Sequence, residues 1–541
     1  MIAMSSRRIT ENWGFPMNKF IKTGLAVGMM TACFVSAALP ANAFERRDGE
    51  KILVSAQRQA APTMDPSVKY DASIRTMQQA MYDGLLKYVD TPPRVVPWLA
   101  ESFDVSDDGL TYTFHLVKNA KFHNGDPVDA EAVRWSFERT LTLGKGPAWM
   151  LNAFLKAENV KAVDASTVSF TLDRPFAPFT SFLPWWYVMN PKQVMANEVD
   201  GDLGQKWLID NEAGSGPYQL ARVEQGTLYE LKRFDGYWRG FEGKLGGIIY
   251  KLIRESSAQR AALMRGEADL VTGLSPDEFD QVAKAKGIVT STQPALTAFG
   301  IKFNTQGKLT SDLNLRKAVA YAFDYEGLIK IYNGRAVLQS SPFTDAILGK
   351  IDVPGMPRKD IAKAKEYLAK SKHPDGGIEL EYVYVQGLEE ERLMGLILID
   401  SLKDLNITVK MVPLTWANMV ARGSKVETSP DMIAIFATPV SIDPDAVAIQ
   451  YHPSSQGAYY GVHYLDDPEL TKLIEDARFT TDWEKRKPMY AAIQERIVDL
   501  QPEIFGMMRE RRVAYRDWVK GYEYSPVRMT EEVDFYPLYI E

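Results

Sequence analysis

The chain is almost without thiols. One cysteine, Cys33, stands among 541 residues, which excludes an intramolecular disulfide, a Cys-x-x-Cys redox pair and a metal site built on several thiolates. Histidine is scarce as well. His115, His123, His373, His452 and His463 form no H-E-x-x-H or H-x-H pattern and join no carboxylate cluster, so no metal and no cofactor is expected. His452 and His463 flank one loop, which keeps open only the binding of a metal chelate. A phosphate-binding loop is missing too: residues 243–247 (GKLGG) lack its spacing, and no G-x-G-x-x-G follows a strand. There is no basic excess, since 63 Lys and Arg stand against 70 Asp and Glu for a net charge of -7. That balance argues against nucleic acid as a partner. Gly214-Ser215-Gly216-Pro217-Tyr218 places Pro217 and Tyr218 where a nucleophile elbow needs a free position and a glycine. Asp443 and Asp445 lie in an Asp-Pro turn with no second acid tied to them. With no nucleophile–base pair, a secreted hydrolase is disfavoured. Repeats, low-complexity tracts and flexible linkers are also absent.

What is present begins with size. A chain of 541 residues is too long for one ordinary core and predicts two or three lobes joined by short crossings. Eleven Trp, 25 Tyr and 24 Phe exceed what a core alone requires and suit a pocket that stacks on a ligand. Near the N-terminus, Lys19 and Lys22 precede an apolar run over residues 24–39, and Ala41-Asn42-Ala43 has the small-x-small form of a cleavage site. The reading is a secretory signal peptide over residues 1–43 with cleavage after Ala43 and a natural start at Met17. The run is shorter than the roughly 20 residues a membrane span needs. Met30-Thr31-Ala32-Cys33 approximates a lipoprotein box with Met30 in place of leucine, which leaves lipid anchoring at Cys33 as the alternative.

The best-patterned stretch is residues 107–137, DDGLTYTFHLVKNAKFHNGDPVDAEAVRWSF. Tyr112, Phe114 and Leu116 alternate with polar residues, the period of a strand with one buried face. Asn124-Gly125-Asp126-Pro127 reads as a turn, and Asp129 as the cap of a helix bearing Val133, Phe137 and Leu141 on one face. Elsewhere the pattern predicts an edge strand over residues 51–56, a helix over 72–88 and a hairpin over 161–172. A strand is expected over 298–304, a long helix over 313–331 and a helix over 359–369. Strand 379–384, helix 389–405 and strand 408–412 then follow in the β-α-β order that suits parallel pairing. Helices are expected over 470–477 and 483–500.

Several of these segments resemble the family 5 solute-binding proteins of ABC importers, whose members bind peptides, nickel chelates and related solutes. The likeness rests on Met64-Asp65-Pro66 with Tyr82-Asp83-Gly84-Leu85-Leu86, on residues 97–108 (PWLAESFDVSDD), on residues 107–137, on Gly214–Tyr218, on residues 261–271 (AALMRGEADLV) and on residues 316–324 (RKAVAYAFD). In order and at natural spacing, it runs from about Ile52 to Tyr522. The resemblance implies an α/β type II periplasmic-binding-protein fold with two main lobes plus an extra lobe, mixed sheets flanked by helices. Lobe I would combine residues 44–82, 213–298 and 505–541, the extra lobe II residues 83–212, and lobe III residues 299–504. It further implies a periplasmic receptor that captures a small solute (peptide-like, opine-like or oligosaccharide) by hinge closure. The receptor would deliver it to ABC permease subunits, and it would act as a monomer without catalysis. A peptide-binding chaperone or a chemosensory receptor on the same fold is the alternative.

Carried over position by position, the resemblance nominates Tyr70-Asp71-Ala72 to pair its backbone with the ligand. Trp149, Trp416 and Arg422 are the contacts from the other two lobes. His463, among Tyr459, Tyr460 and Tyr464, is a further candidate. One departure stands out. Peptide-binding relatives carry an aspartate for the peptide ammonium three residues before the acidic-Pro pair; here Val440 occupies that place, and Ala437 stands where tryptophan is usual. Valine cannot pair with a buried ammonium, so a free peptide N-terminus should not be held in the usual way. Arg509 falls where relatives offer a tyrosine and would present a guanidinium fork to a carboxylate or phosphate.

Overall fold

The computed structural model describes residues 51–70, 72–241, 245–528 and 531–541. Cys33, the cleavage site after Ala43, the start at Met17 and Asp71 lie outside the described residues. An 11-stranded sheet runs through the molecule. From one edge its strands are Ile407–Leu414, Ile378–Val385, Met432–Ala437, Ile288–Phe303, Glu503–Arg516, Leu270–Val271, Ile52–Gln57, Gly247–Leu252, Leu228–Arg233 and Tyr218–Glu224. Ala336–Leu338 pairs onto Glu503–Arg516 beside this path. Ile378–Val385 and Ile407–Leu414 are parallel around the helix Glu389–Leu402, the β-α-β unit expected from their order.

Two strands give the sheet its reach. Ile288–Phe303 and Glu503–Arg516 span 16 and 14 residues and pair antiparallel along their length. Their register breaks between Pro294 and Ala298, because proline has no N–H to give the ladder. On one side of the break the pair is flanked by Leu270–Val271; on the other by Met432–Ala437. The two strands thus cross between two halves of the molecule.

Three bodies of core lie along this frame. One packs Leu53, Met64, Ile74 and Met77 with Tyr218, Tyr229, Leu270, Val513 and Phe535. A second, the most aromatic, gathers Phe114, Phe137, Phe154, Phe170, Phe176, Phe182, Trp185 and Trp186 around a four-stranded antiparallel sheet that includes Thr111–Leu116 and Thr167–Thr171. The third holds Phe299, Ile301, Leu315, Val319, Leu380, Tyr382, Met394 and Leu398, continued by Phe343, Tyr490, Ile493 and Phe505. Asp129 caps its helix as expected, accepting from the Ala132 N–H at 2.8 Å.

Three expectations change. Ile52–Gln57 is an interior strand, paired in parallel on both sides, because Gly247–Leu252 and Leu270–Val271 come to flank it. The helix from Ala72 ends at Met81, and Leu86–Val89 becomes a strand paired with Arg94–Pro97. Asp83 forces that exit. Its carboxylate accepts from the Trp98 indole at 2.7 Å, the Trp238 indole at 3.1 Å and the Tyr237 hydroxyl at 3.2 Å. The helix expected over residues 313–331 is two, Leu313–Ala322 and Tyr325–Ile331. Phe323 leaves helical geometry at ψ 136°, and the Asp324 side chain caps the second helix through the Gly327 N–H at 3.2 Å.

Candidate functional site

Rings converge where the aromatic second core meets the third. Thr415 caps the helix Trp416–Gly423 through the Asn418 N–H at 3.3 Å, which leaves Trp416 at the first helical position. There its side chain is 51 % exposed, against the Tyr459 ring at 4.7 Å; Tyr459 in turn meets Tyr460 at 4.9 Å. The Tyr459 hydroxyl donates to the Phe436 carbonyl at 3.4 Å, and the Tyr460 hydroxyl is hydrogen-bonded to the backbone of Thr438. Burial pushes the Tyr460 phenol up to about 12, so both hydroxyls stay protonated at neutral pH.

A second group of rings gathers around Tyr70. Gly146 adopts φ 51°, and a Cβ there would lie 2.7 Å from the Ser67 carbonyl. Only glycine allows so close an approach of the two segments. That approach sets Trp149, 46 % exposed, beside Tyr70 at 6.1 Å between ring centroids. Tyr70 also meets Trp185 edge-on at 5.9 Å. Trp185 is buried; its indole donates to the Val440 carbonyl at 2.5 Å, and the Arg75 guanidinium lies 3.9 Å from its ring centroid. Arg75 is itself held by the Tyr187 hydroxyl at 2.7 Å and lies 3.6 Å from Glu532. A cavity of about 40 Å³ beside Arg75 is lined by Asp83, Lys87, Tyr187, Arg528 and Glu532 among others.

The nominated residues are placed as follows. Tyr70 meets both Trp149 and Trp185, Trp185 is bonded to Val440, and Trp416 stands against Tyr459. Val440 is 7 % exposed and packs into the aromatic second core; its neighbour Ser441 donates to Ser181 at 2.9 Å. Arg509 sits on the long strand with its guanidinium 5.1 Å from the Phe436 ring centroid. Ala72 enters as the first residue of its helix. Arg422 lies at the far end of its helix from Trp416, ion-paired to Glu381 and bonded to the Thr428 carbonyl at 3.2 Å. His463 is enclosed inside the third lobe, its ring parallel to Tyr451 at 5.1 Å and its Nδ1 accepting from the Leu465 N–H at 3.0 Å. Burial and the charge of Lys302 hold its imidazole well below its ordinary pKa, hence neutral.

Sequence reasoning passed over Arg75, Trp185 and Phe436. Trp185 sits in a proline-punctuated aromatic run that reads as core, and no local pattern marks its contact with Val440. The acids that looked paired are structural: Asp443 forms a bidentate bridge to Arg486 at 2.9 Å, and Asp445 meets Arg478 at 3.2 Å. His123 is likewise committed, to Glu212 at 2.7 Å and the Gly216 carbonyl at 2.9 Å. Among the described residues no group of three or more His, Cys, Asp or Glu could hold a metal ion. What the arrangement offers is two groups of partly exposed aromatic rings, suited to stacking on a solute.

Residues 94–459 match the model of bacterial extracellular solute-binding proteins, family 5. The chain is similar to the probable D,D-dipeptide-binding periplasmic protein DdpA of Escherichia coli (strain K12), 29 % identical over 480 residues that cover 87 % of this chain and 90 % of the relative. Among solved structures it superposes on the ABC transporter substrate-binding protein CtaP of Listeria monocytogenes with a TM-score of 0.81 at 25 % identity, covering 91 % of this chain and 99 % of that one. It likewise superposes on the periplasmic binding protein DppA of Helicobacter pylori, solved in complex with the peptide STSA. There the TM-score is 0.77 at 25 % identity, with the same coverage.

Proposed function

Because the chain belongs to the bacterial extracellular solute-binding proteins, family 5, we propose that it is the periplasmic substrate-binding component of an ABC importer. It captures a small solute in the cleft between its lobes and delivers it to the permease subunits. The solute is peptide-like, opine-like or an oligosaccharide, and no bond is made or broken. The observation that carries this reading is the pair Trp149 and Trp416, two large aromatics each left about half exposed, which the reading sets on opposite walls of one cleft. Large aromatics left open on facing lobes gain most when a ligand closes between them. Lobe I takes residues 44–82, 213–298 and 505–541, lobe II residues 83–212 and lobe III residues 299–504, with the two long strands as the crossing. A ligand that touches both walls shifts the population toward the closed form. The site residues are Tyr70, Asp71, Ala72, Trp149, Trp416, Val440 and Arg509. Among the described residues no helix is long and apolar enough to cross a membrane. Export in this reading follows removal of residues 1–43, and the receptor works as a monomer.

The test is a thermal-shift panel on protein unfolded and refolded to strip any resident solute, with dipeptides, D-Ala-D-Ala, glutathione, an opine and oligosaccharides as probes. A true ligand at a hundredfold excess over its Kd stabilises by about 2.7 kcal/mol. Trp416→Ala should remove about 1–3 kcal/mol of that binding energy. Absence of any shift, together with no small molecule retained in native mass spectrometry of the unstripped protein, would sink the reading.

A further inference from the structure

Under the floor of the cleft, inside the third lobe, lies a buried polar cluster that the aromatic walls do not use. Lys302, on the long strand, is 2 % exposed, and its Nζ sits 2.9 Å from Glu503 Oε2. Tyr451 donates its hydroxyl to the other oxygen of the same carboxylate, and the neutral ring of His463 is stacked on Tyr451. A cavity of about 20 Å³ opens against this cluster, lined by Lys302, Glu503, Gln339, Thr344, Gln450 and Ala437 among others. Thr344 is 2 % exposed, and among the described residues its Oγ1 has no hydrogen-bond partner. Gln450 commits its Nε2 to the Ala446 carbonyl at 3.1 Å. Ala437 is partly exposed and belongs to residues 436–440, the segment that runs from Phe436 under Arg509 to Val440 under Trp185. The methyl group of Ala437 is part of the cavity lining.

We propose that this cavity is a subsite of the cleft that takes a neutral hydrogen-bonding end of the solute, a hydroxyl or a primary carboxamide. The inference rests on the binding-protein reading and deepens it. Its size decides the first part: roughly one or two water-sized groups fit such a volume, which admits a substituent and not a ring. Charge decides the second. Lys302 and Glu503 cancel one another, so a carboxylate or ammonium entering the cavity would be buried without a free counter-ion. A neutral group meets no such penalty, and the unpartnered Thr344 hydroxyl can both donate to it and accept from it.

The experiment has two arms. Cys33 is the chain's only native cysteine, so Thr344→Cys puts a thiol in the cavity that peptide mapping can follow. Neutral methyl methanethiosulfonate should label it about tenfold faster than the sulfonatoethyl or trimethylammonioethyl reagents, and adding Ala437→Trp should slow the neutral reaction about tenfold. Equal rates for charged and neutral reagents, or no labelling of folded protein, would overturn the subsite. The second arm is calorimetry on wild-type protein with Ala-Asn, Ala-Leu and Ala-Asp. Ala-Asn should bind about tenfold tighter than the other two, and Thr344→Val should erase that advantage. Equal affinities would again count against the subsite. If none of the three dipeptides binds at all, it is the peptide-like reading of the solute that fails, while the labelling arm still decides the cavity.

Discussion

Glu391 is a carboxyl group with 1 % exposure and, among the described residues, no ion-pair partner. It sits in the first turn of the helix Glu389–Leu402, where its Oε2 accepts from the Val385 N–H at 2.7 Å. Burial pushes its pKa up to about 8 despite that bond. The folded protein therefore keeps a proton that the unfolded chain releases between about pH 4.5 and 8. Stability falls as pH rises through that window, the reverse of the usual salt-bridged acid. Glu391→Gln should abolish this slope and stabilise the protein by about 3 kcal/mol at pH 8.5, read as a melting temperature that no longer drops between pH 6 and 8.5. Val440 poses the converse test. Val440→Asp would bury a carboxylate among Trp185 and its aromatic neighbours, and should destabilise the ligand-free protein by about 2–4 kcal/mol in denaturant melts. A variant as stable as the parent would show that water reaches this position.

At the scale of elements, most helices and strands were legible because each carries its own periodicity and caps. Asp129 is an example: one side chain and the apolar spacing behind it suffice to start the helix Ala130–Leu143. The departures arise where a distant segment overrides local preference. Residues 82–85 fit a helix until Trp98, Tyr237 and Trp238 converge on Asp83. The Gly214–Gly216 crossover shows the same dependence. A Cβ on Gly214 would lie 1.9 Å from the Met81 carbonyl, and one on Gly216 2.5 Å from the Met81 carbonyl carbon. Neither glycine has positive φ, so they serve close approach and not a special turn. Gly214→Ala should therefore separate the crossover from the end of the helix Ala72–Met81. The expected loss is about 3 kcal/mol or more, seen as a lowered urea midpoint with an unchanged slope.

For the whole molecule, the question is what holds the lobes together. The Arg174 guanidinium, in the proposed lobe II, lies 4.0 Å from the ring centroid of Phe479 in the proposed lobe III. In return Arg478 of the third lobe lies 5.0 Å and 5.3 Å from Phe154 and Phe176 of the second, while it meets Asp445 at 3.2 Å. This reciprocal clasp is joined by the bonds of Ser441 to Ser181 at 2.9 Å and of Tyr88 to Ser441 at 3.2 Å. Each exposed cation–π contact contributes about 0.5–1 kcal/mol. Arg174→Ala should thus open the ligand-free population and weaken solute affinity by about two- to fivefold. Small-angle scattering of ligand-free protein would show the larger radius, and an unchanged radius with unchanged affinity would remove the clasp from the closure equilibrium.

Composition and local pattern by themselves determined the size class, the α/β alternation, the export-like N-terminal segment and the motifs that resemble one family. These depend on neighbours a few residues apart, which the chain carries with it. They also marked Trp149, Trp416 and Val440 as positions of interest, through the match of short segments. Only the tertiary structure decided that Trp149 and Trp416 stay about half exposed, that Arg422 is tied to Glu381 and that His463 is sealed against Tyr451. It alone brought Lys302, Thr344 and Ala437 around one cavity. The physical reason is separation: Trp185 and Val440 are 255 residues apart. No periodicity encodes a hydrogen bond between segments so far apart in the chain.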